Sequence, residues 1–141
     1  MEALTSVLIM SVGLLGVAAL QSRSLSGALG ATARSQAVIA TGDIAARMHA
    51  NPVDYATVQP ADEACREVHF DHVHAPRDCS AAQLAADDIA DWRTELAATL
   101  PHGAGTIRRA GDHYLVDVSW DERAGAEGAT ARQHVTTALR P

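Results

Sequence analysis

Residues 3–20 read ALTSVLIMSVGLLGVAAL, eighteen positions without a charge, and one carboxylate, Glu2, stands directly before them. A helix needs roughly 20 predominantly apolar residues to cross a bilayer, so this run is near the minimum for a transmembrane segment. A cleaved secretory signal would show a basic n-region, a shorter apolar core and a small-residue cleavage site. No Arg precedes Glu2 here, and Ala18-Ala19-Leu20-Gln21 is a poor cleavage site. Core helices of soluble proteins rarely run this far without a charge. The reading is therefore a membrane-spanning helix over residues 3–20.

Beyond Leu20 the helical pattern continues. Leu25, Leu29, Ala33, Ala37, Ala40, Ile44 and Met48 recur at steps of three and four, the spacing of one helix face. Arg23, Arg34, Gln36, Asp43 and Arg47 lie mostly off it. Asn51-Pro52 is the stop, because the residue before proline avoids helical torsions. Residues 1–50 thus form one helical segment of roughly 70 Å at 1.5 Å per residue, with 21–50 as its amphipathic part. Gly13, Gly16, Gly27, Gly30 and Gly42 interrupt it. Each costs about 1 kcal/mol relative to Ala, and small residues such as Gly13 and Gly16 suit close helix packing in an apolar medium.

Residues 51–141 are then left for a globular head, large enough for a modest core that gains from a staple. The basic residues are all Arg, without a Lys. Residues 21–50 carry a net +2 and residues 51–141 a net −7, which with Glu2 gives the overall −6. An acidic head argues against nucleic acid as a partner, since that requires a cationic face.

Several stretches together are similar to a known family. Glu2 followed by ALTSVLIMSVGLLGVAALQ resembles the N-terminal helix of type IV pilins. The phrase SVGLLGVAALQ, the later DIAARMHANPVDY, the pair Cys65 and Cys79, and CSAAQLAADDIADWRTELAATLP resemble the minor pilins called type IV pilus modification proteins (PilV-type). The resemblance covers most of the chain. It implies an inner-membrane protein with a periplasmic C-terminal head. It further implies processing and methylation by a prepilin peptidase, and incorporation at or near the tip of the pilus (fimbrium), where assembly is primed. The implied partners are the major pilin and other minor pilins, through the N-terminal helix. No enzymatic activity and no cofactor are implied. Glu2 would pair with the N-terminal amine of a neighbouring subunit and set the axial register. A carboxylate at the edge of an apolar bundle is costly unless it is paired, and at a helix N-terminus it meets favourable dipole charge.

The pattern departs from the family at the start. In pilins the acid is the fifth residue of the mature chain, after a leader ending in Gly, whereas Met1 alone precedes Glu2. Arg23 and Arg34 follow the apolar run and nothing basic precedes it, so the positive-inside rule by itself would put the C-terminus inside. A basic leader would reverse that orientation. The expectation is a natural start further upstream.

Cys65 and Cys79 are the only cysteines. An even pair in an anchored, acidic head predicts a disulfide in an oxidising compartment. Closing a loop of about 15 residues contributes roughly 3 kcal/mol in the chain-entropy treatment. Glu67, His69, Asp71, His72 and His74 lie inside this loop. C-x3-H-x2-H-x-H-x4-C holds enough ligands for zinc but matches no standard finger spacing. No metal site is assigned, and His69, His72 and His74 are read as part of a solvated loop.

Residues 80–100 are the clearest helix of the head. Ser80 and Gln83 have the spacing of a capping box. Leu84, Ile89, Trp92, Leu96 and Leu100 form its apolar side, and Asp87, Asp88, Asp91 and Glu95 its wet side. Pro101, Gly103 and Gly105 end it. Strands are expected within residues 105–139. Thr106–Arg109 leads to a turn at Ala110-Gly111-Asp112, and then Tyr114, Val116, Val118 and Trp120 alternate with Leu115, Asp117 and Ser119. Asp121 to Gly128 reads as a polar loop, and Gln133 to Leu139 as a third strand with Val135, Thr137 and Leu139 on one face. The predicted class is α+β, with the type IV pilin arrangement of a long N-terminal helix packed on a small antiparallel sheet that buries Ile44 and Trp120 together.

Catalysis finds no motif: there is no phosphate-binding glycine loop and no nucleophile elbow. Ser119, His113 and Asp117 or Asp121 alternate along one hairpin and do not converge as a triad. The function expected is therefore a non-catalytic minor pilin. The alternatives are a minor pseudopilin of a type II secretion system, which shares the helix and Glu2, and an anchored periplasmic metal-binding protein using the histidine loop.

Overall fold

The computed structural model describes residues 2–58, 79–124 and 129–140. Two helices and three strands follow one another along the chain. Helix α1 spans Glu2–Ala50 and α2 spans Ala81–Thr99; β1 is Ala104–Ala110, β2 His113–Ala124 and β3 Ala129–Leu139. The strands form one antiparallel sheet in the order β1-β2-β3. The class is α+β, a long N-terminal helix with a small three-stranded antiparallel sheet.

Two compact units divide the chain, residues 1–33 and residues 34–141. The boundary falls inside α1, seventeen residues before the helix ends.

Within residues 34–141 the last part of α1 supplies Ala37, Ala40, Thr41, Ile44 and Met48 to the core, all buried. The stripe expected from Leu25 onward is corrected here. Leu25 and Leu29 are 63% and 62% exposed. Both leucines precede residue 34, where the compact unit that buries Ala37 to Met48 begins. Leu29 is within about 20° of helix rotation of the buried Ala40, so the apolar face continues but its cover does not. The helix ends at Asn51, whose N–H still donates to Arg47 O at 3.0 Å, with Pro52 next.

Helix α2 opens with the expected capping box. Ser80 Oγ accepts from Gln83 N at 3.2 Å, and Gln83 Oε1 accepts from Ser80 N at 2.9 Å. Ala85, Ala86, Ile89, Trp92 and Leu96 are buried along one side. Leu84, placed on that side from sequence, is exposed. Leu100 is extended (φ −117°, ψ 138°), as the residue before Pro101 must be. Trp92 lies over β1 at Gly105, where an added Cβ would overlap the indole ring and the Leu96 side chain.

A two-residue connection, Gly111-Asp112, joins β1 to β2, with Ala110 opposite His113. Gly111 has φ +66°, and glycine at the first central position with an ordinary residue after it is the requirement of a type II′ hairpin turn. On β2, Tyr114, Val116, Val118 and Trp120 are buried, as the alternation predicts. Ile44 and Trp120 are both fully buried. The loop expected over Asp121–Gly128 is shorter than its polarity suggests. Asp121 to Ala124 continue β2 and pair with Arg132 to Ala129. An ion pair across the ladder, Arg132 Nη1 to Asp121 Oδ1 at 3.0 Å, is the kind of cross-strand contact that steadies a polar strand pair.

Candidate functional site

Residues 1–33 carry the feature that most demands an explanation. Every residue from Ala3 to Leu29 is exposed. Leu4, Val7, Leu8, Ile9, Met10, Val12, Leu14, Leu15, Val17 and Leu20 each leave half or more of their surface open. Fully covering one such side chain is worth about 1.5–3 kcal/mol. A surface of ten is far beyond the scattered apolar residues of a water-facing protein and marks contact with a membrane or with other chains. The helix is long and apolar enough to cross a membrane, and none of its apolar window is buried in the protein.

The polar side chains on this segment suit that medium. Ser11 Oγ donates to Leu8 O at 2.8 Å, Ser26 Oγ to Ser22 O at 3.0 Å and Thr32 Oγ1 to Ala28 O at 2.9 Å. A hydroxyl that bonds back onto its own helix, as Ser11 does within residues 3–20, carries no unsatisfied donor into lipid. Around Gly13 and Gly16 an added Cβ would meet nothing within 4 Å. They are open notches in the surface of the helix, where another helix can approach closely. Glu2 is the first residue of α1; its side chain lies outside the described residues.

The end of α1 is fixed to the head by directional contacts. Trp92 Nε1 donates to Ala40 O at 2.9 Å in the core. Asn51 Nδ2 donates to Ala81 O at 2.8 Å. Arg47 bridges Asp43 Oδ2 at 2.9 Å and Asp88 Oδ1 at 3.2 Å, and Tyr55 Oη donates to the other oxygen of Asp88 at 2.9 Å. Burial and the adjacent Asp88 carboxylate push the Tyr55 hydroxyl well above its ordinary pKa. Asp88, read from sequence as part of the wet side of α2, is only 17% exposed. It is corrected here to a clamp between α2, α1 and the segment after α1. Asp91 and Glu95 are exposed, as expected.

A second carboxylate organises the other side of the same segment. Asp54 Oδ2 accepts from Arg109 Nη1 at 3.0 Å, and Asp54 Oδ1 from Tyr114 Oη at 3.1 Å and from Ala56 N at 3.2 Å. Burial alone would raise its pKa, but these three donors together hold it below the usual carboxylate value. Sequence reasoning missed this cluster. Its partners are 55 and 60 residues apart in the chain, and no local pattern brings them together. Beside it lies a cleft of about 220 Å³, walled by the last turn of α1, the Pro52–Asp54 segment and the Arg109–Tyr114–Leu139 row of the sheet.

Most of the other residues singled out from sequence fall elsewhere. Cys65, His69, His72 and His74 lie outside the described residues. Cys79 is half-buried directly before the Ser80 cap, and its thiol is not free. Among the described residues no group of three His, Cys, Asp or Glu side chains is placed to hold a metal ion. Ser119 and His113 do not meet. They are six residues apart on one strand, roughly 20 Å at 3.3 Å per residue. Ser119 Oγ accepts from Arg132 Nη2 at 2.9 Å, and His113 Nδ1 bonds Asp112. Comparison of the chain with family models, with curated proteins and with solved structures found no match.

Proposed function

We propose that this chain is a minor pilin of the type IV pilus, anchored in the inner membrane through residues 3–20 with its head in the periplasm. In this reading it enters the filament at or near the tip and takes part in starting assembly, without catalysis. The observation that carries it is one unbroken helix, α1, whose first part is apolar on all sides and uncovered while its last part is built into a head with an antiparallel sheet. That division fits a subunit held first by lipid and then by the helices of neighbouring subunits, because one surface serves both media. The back-bonded hydroxyls and the notches at Gly13 and Gly16 support the same use.

Glu2 is proposed as the group that pairs with a neighbouring subunit's N-terminal amine and fixes axial register, since an intramembrane carboxylate needs a partner. A Cys65–Cys79 disulfide is proposed as the staple of the loop before α2. Its support is that Cys79 has no free thiol and Cys65 is the only other cysteine of the chain. The test is complementation of a deletion strain. The wild-type gene restores surface filaments, whereas Glu2→Ala, at equal membrane abundance, restores far fewer. Full restoration by Glu2→Ala would overturn the register role. Unchanged filament number in the deletion strain itself would overturn the assembly role.

A further inference from the structure

The two edges of the sheet are built differently. Strand β1 is seven residues long, and α2 lies against it. Arg93 Nε donates to Gly105 O at 3.3 Å, and an added Cβ at Gly105 would meet Trp92 and Leu96. Two further guanidiniums, Arg108 and Arg109, stand on the same strand. A covering helix and charged side chains are the means by which proteins close a sheet edge against a further strand.

Strand β3 has neither. It is eleven residues long and, among the described residues, pairs with β2 alone. Alternate residues along its other edge therefore present N–H and C=O groups to no strand. Residues 129–139 contain no Pro, no Lys and no acid. Their one charge, Arg132, is turned back over the sheet, where it donates to His102 O at 3.1 Å, Asp121 Oδ1 at 3.0 Å and Ser119 Oγ at 2.9 Å. The inner face is incomplete as well. Gln133, Val135, Thr137 and Leu139 are half-buried, whereas their β2 partners Trp120, Val118, Val116 and Tyr114 are buried. A strand added beyond β3 would pair the open edge and add cover to this row.

The segment that fits is long, extended and nearly uncharged, with β-branched residues, and β3 itself (ATARQHVTTAL) meets that description. Laid antiparallel on a second copy with full overlap, it places His134 on the two-fold axis, Arg132 opposite Thr136, Gln133 opposite Val135 and Ala131 opposite Thr137. No guanidinium then faces another, and no carboxylate is present in either strand. Charge selects the same edge. Residues 51–141 carry a net −7, so two heads repel each other, and least so along an edge without an acid. Strand β1 is also free of acids, but Arg93 and α2 close it.

We infer that β3 is an interface between two copies of this chain, which pair antiparallel along it and join their three-stranded sheets into one. Such a contact is isologous, the commonest symmetry of homodimers. It uses neither residues 3–20 nor Glu2, and it stands whether or not the chain enters a pilus.

The test uses the full chain in detergent, with micelles in excess over protein. Directly opposed residues lie about 4.5–5.5 Å apart at Cα, within disulfide reach. His134→Cys is therefore expected to give a covalent dimer on mild oxidation, above the wild-type background. In the same overlap two Thr130 positions lie about 27 Å apart, eight residues at 3.4 Å. Thr130→Cys should stay monomeric alone and cross-link only when mixed with Ala138→Cys. His134→Lys sets two ammonium groups against each other and should raise the dimer Kd, read by sedimentation equilibrium, about two- to fivefold. Thr106→Lys, an exposed change on β1, should leave it unaltered. A chain that is monomeric at every concentration, equal cross-linking by His134→Cys and Thr130→Cys, or a dimer indifferent to His134→Lys and so held elsewhere, as by α1, would each overturn the proposal.

Discussion

The two tryptophans permit a controlled comparison. Both are fully buried. Trp92 Nε1 donates to Ala40 O at 2.9 Å, whereas Trp120 Nε1 has no acceptor among the described residues. Replacing either by Phe removes the same atoms from an equally buried site, so the transfer and cavity losses are similar, about 1–2 kcal/mol each. The polar term then separates them. Trp92→Phe also loses a hydrogen bond worth about 0.5–1.5 kcal/mol, whereas Trp120→Phe removes an unsatisfied donor whose burial costs about 1–3 kcal/mol. Trp92→Phe is expected to destabilise by about 2–3 kcal/mol, and Trp120→Phe to stay within about 1 kcal/mol of wild type. Each variant keeps one tryptophan, so urea unfolding in detergent micelles is followed by the fluorescence of the other. Midpoint shifts at unchanged slope report stability alone. Equal destabilisation by the two substitutions would refute the reasoning, because it would mean that the two indole donors contribute alike.

Glycine substitutions should split in sign. Gly105→Ala drives a Cβ into the Trp92 ring and Leu96 and is expected to cost about 1–3 kcal/mol. Gly42→Ala, on an exposed helical position with nothing within 4 Å, should stabilise by up to about 1 kcal/mol; thermal unfolding by circular dichroism reads both. The carboxyl of Asp54 has a folded-state pKa below its unfolded value of about 3.9. Its contribution is therefore complete above about pH 4 and is lost as pH falls through the lowered folded value. Asp54→Asn should be less stable than wild type at neutral pH, and the deficit should close on acidification through that window. A pH-independent deficit would contradict the assignment. Asp88→Ala removes one of the two carboxylates on Arg47 and the shorter acceptor of the Tyr55 hydroxyl and should loosen the segment after α1, seen as faster amide exchange at Val53 and Tyr55. Asp91→Ala, an exposed change on the same helix, should leave those amides unaltered.

The parts of this fold that could be read from the sequence are those set by neighbours in the chain. The uncharged run of residues 3–20 and the Asn51-Pro52 stop delimit α1. The Ser80–Gln83 box starts α2, and the Gly111-Asp112 pair turns β1 into β2 (each is a signal within four residues or one periodic run). Where the reading failed, the deciding contact was remote or the periodicity was misapplied. Leu25 and Leu29 were assigned to the buried stripe because periodicity shows which face of a helix is apolar but not where along it the cover begins, which here is after residue 33. Asp88 looked like one of four acids on a wet side because a single helix shows nothing of Arg47, 41 residues earlier. Asp121 to Arg123 read as a loop because they are polar, but a strand pair beyond the edge of the core needs no apolar side. The Asp54 cluster and its cleft depend on strand register and on where α1 ends relative to the sheet, and neither is written locally.

The central claim is that the apolar helix serves first as an anchor and then as an assembly surface in a filament. It is tested most directly by quantitative mass spectrometry of filaments sheared from the surface of the native host. The account predicts head peptides, such as the one spanning residues 94–108, co-purifying with the filaments at a small fraction of the major subunit and absent from filaments of a deletion strain. Recovery of the chain in the membrane fraction alone, with none in purified filaments, would contradict it.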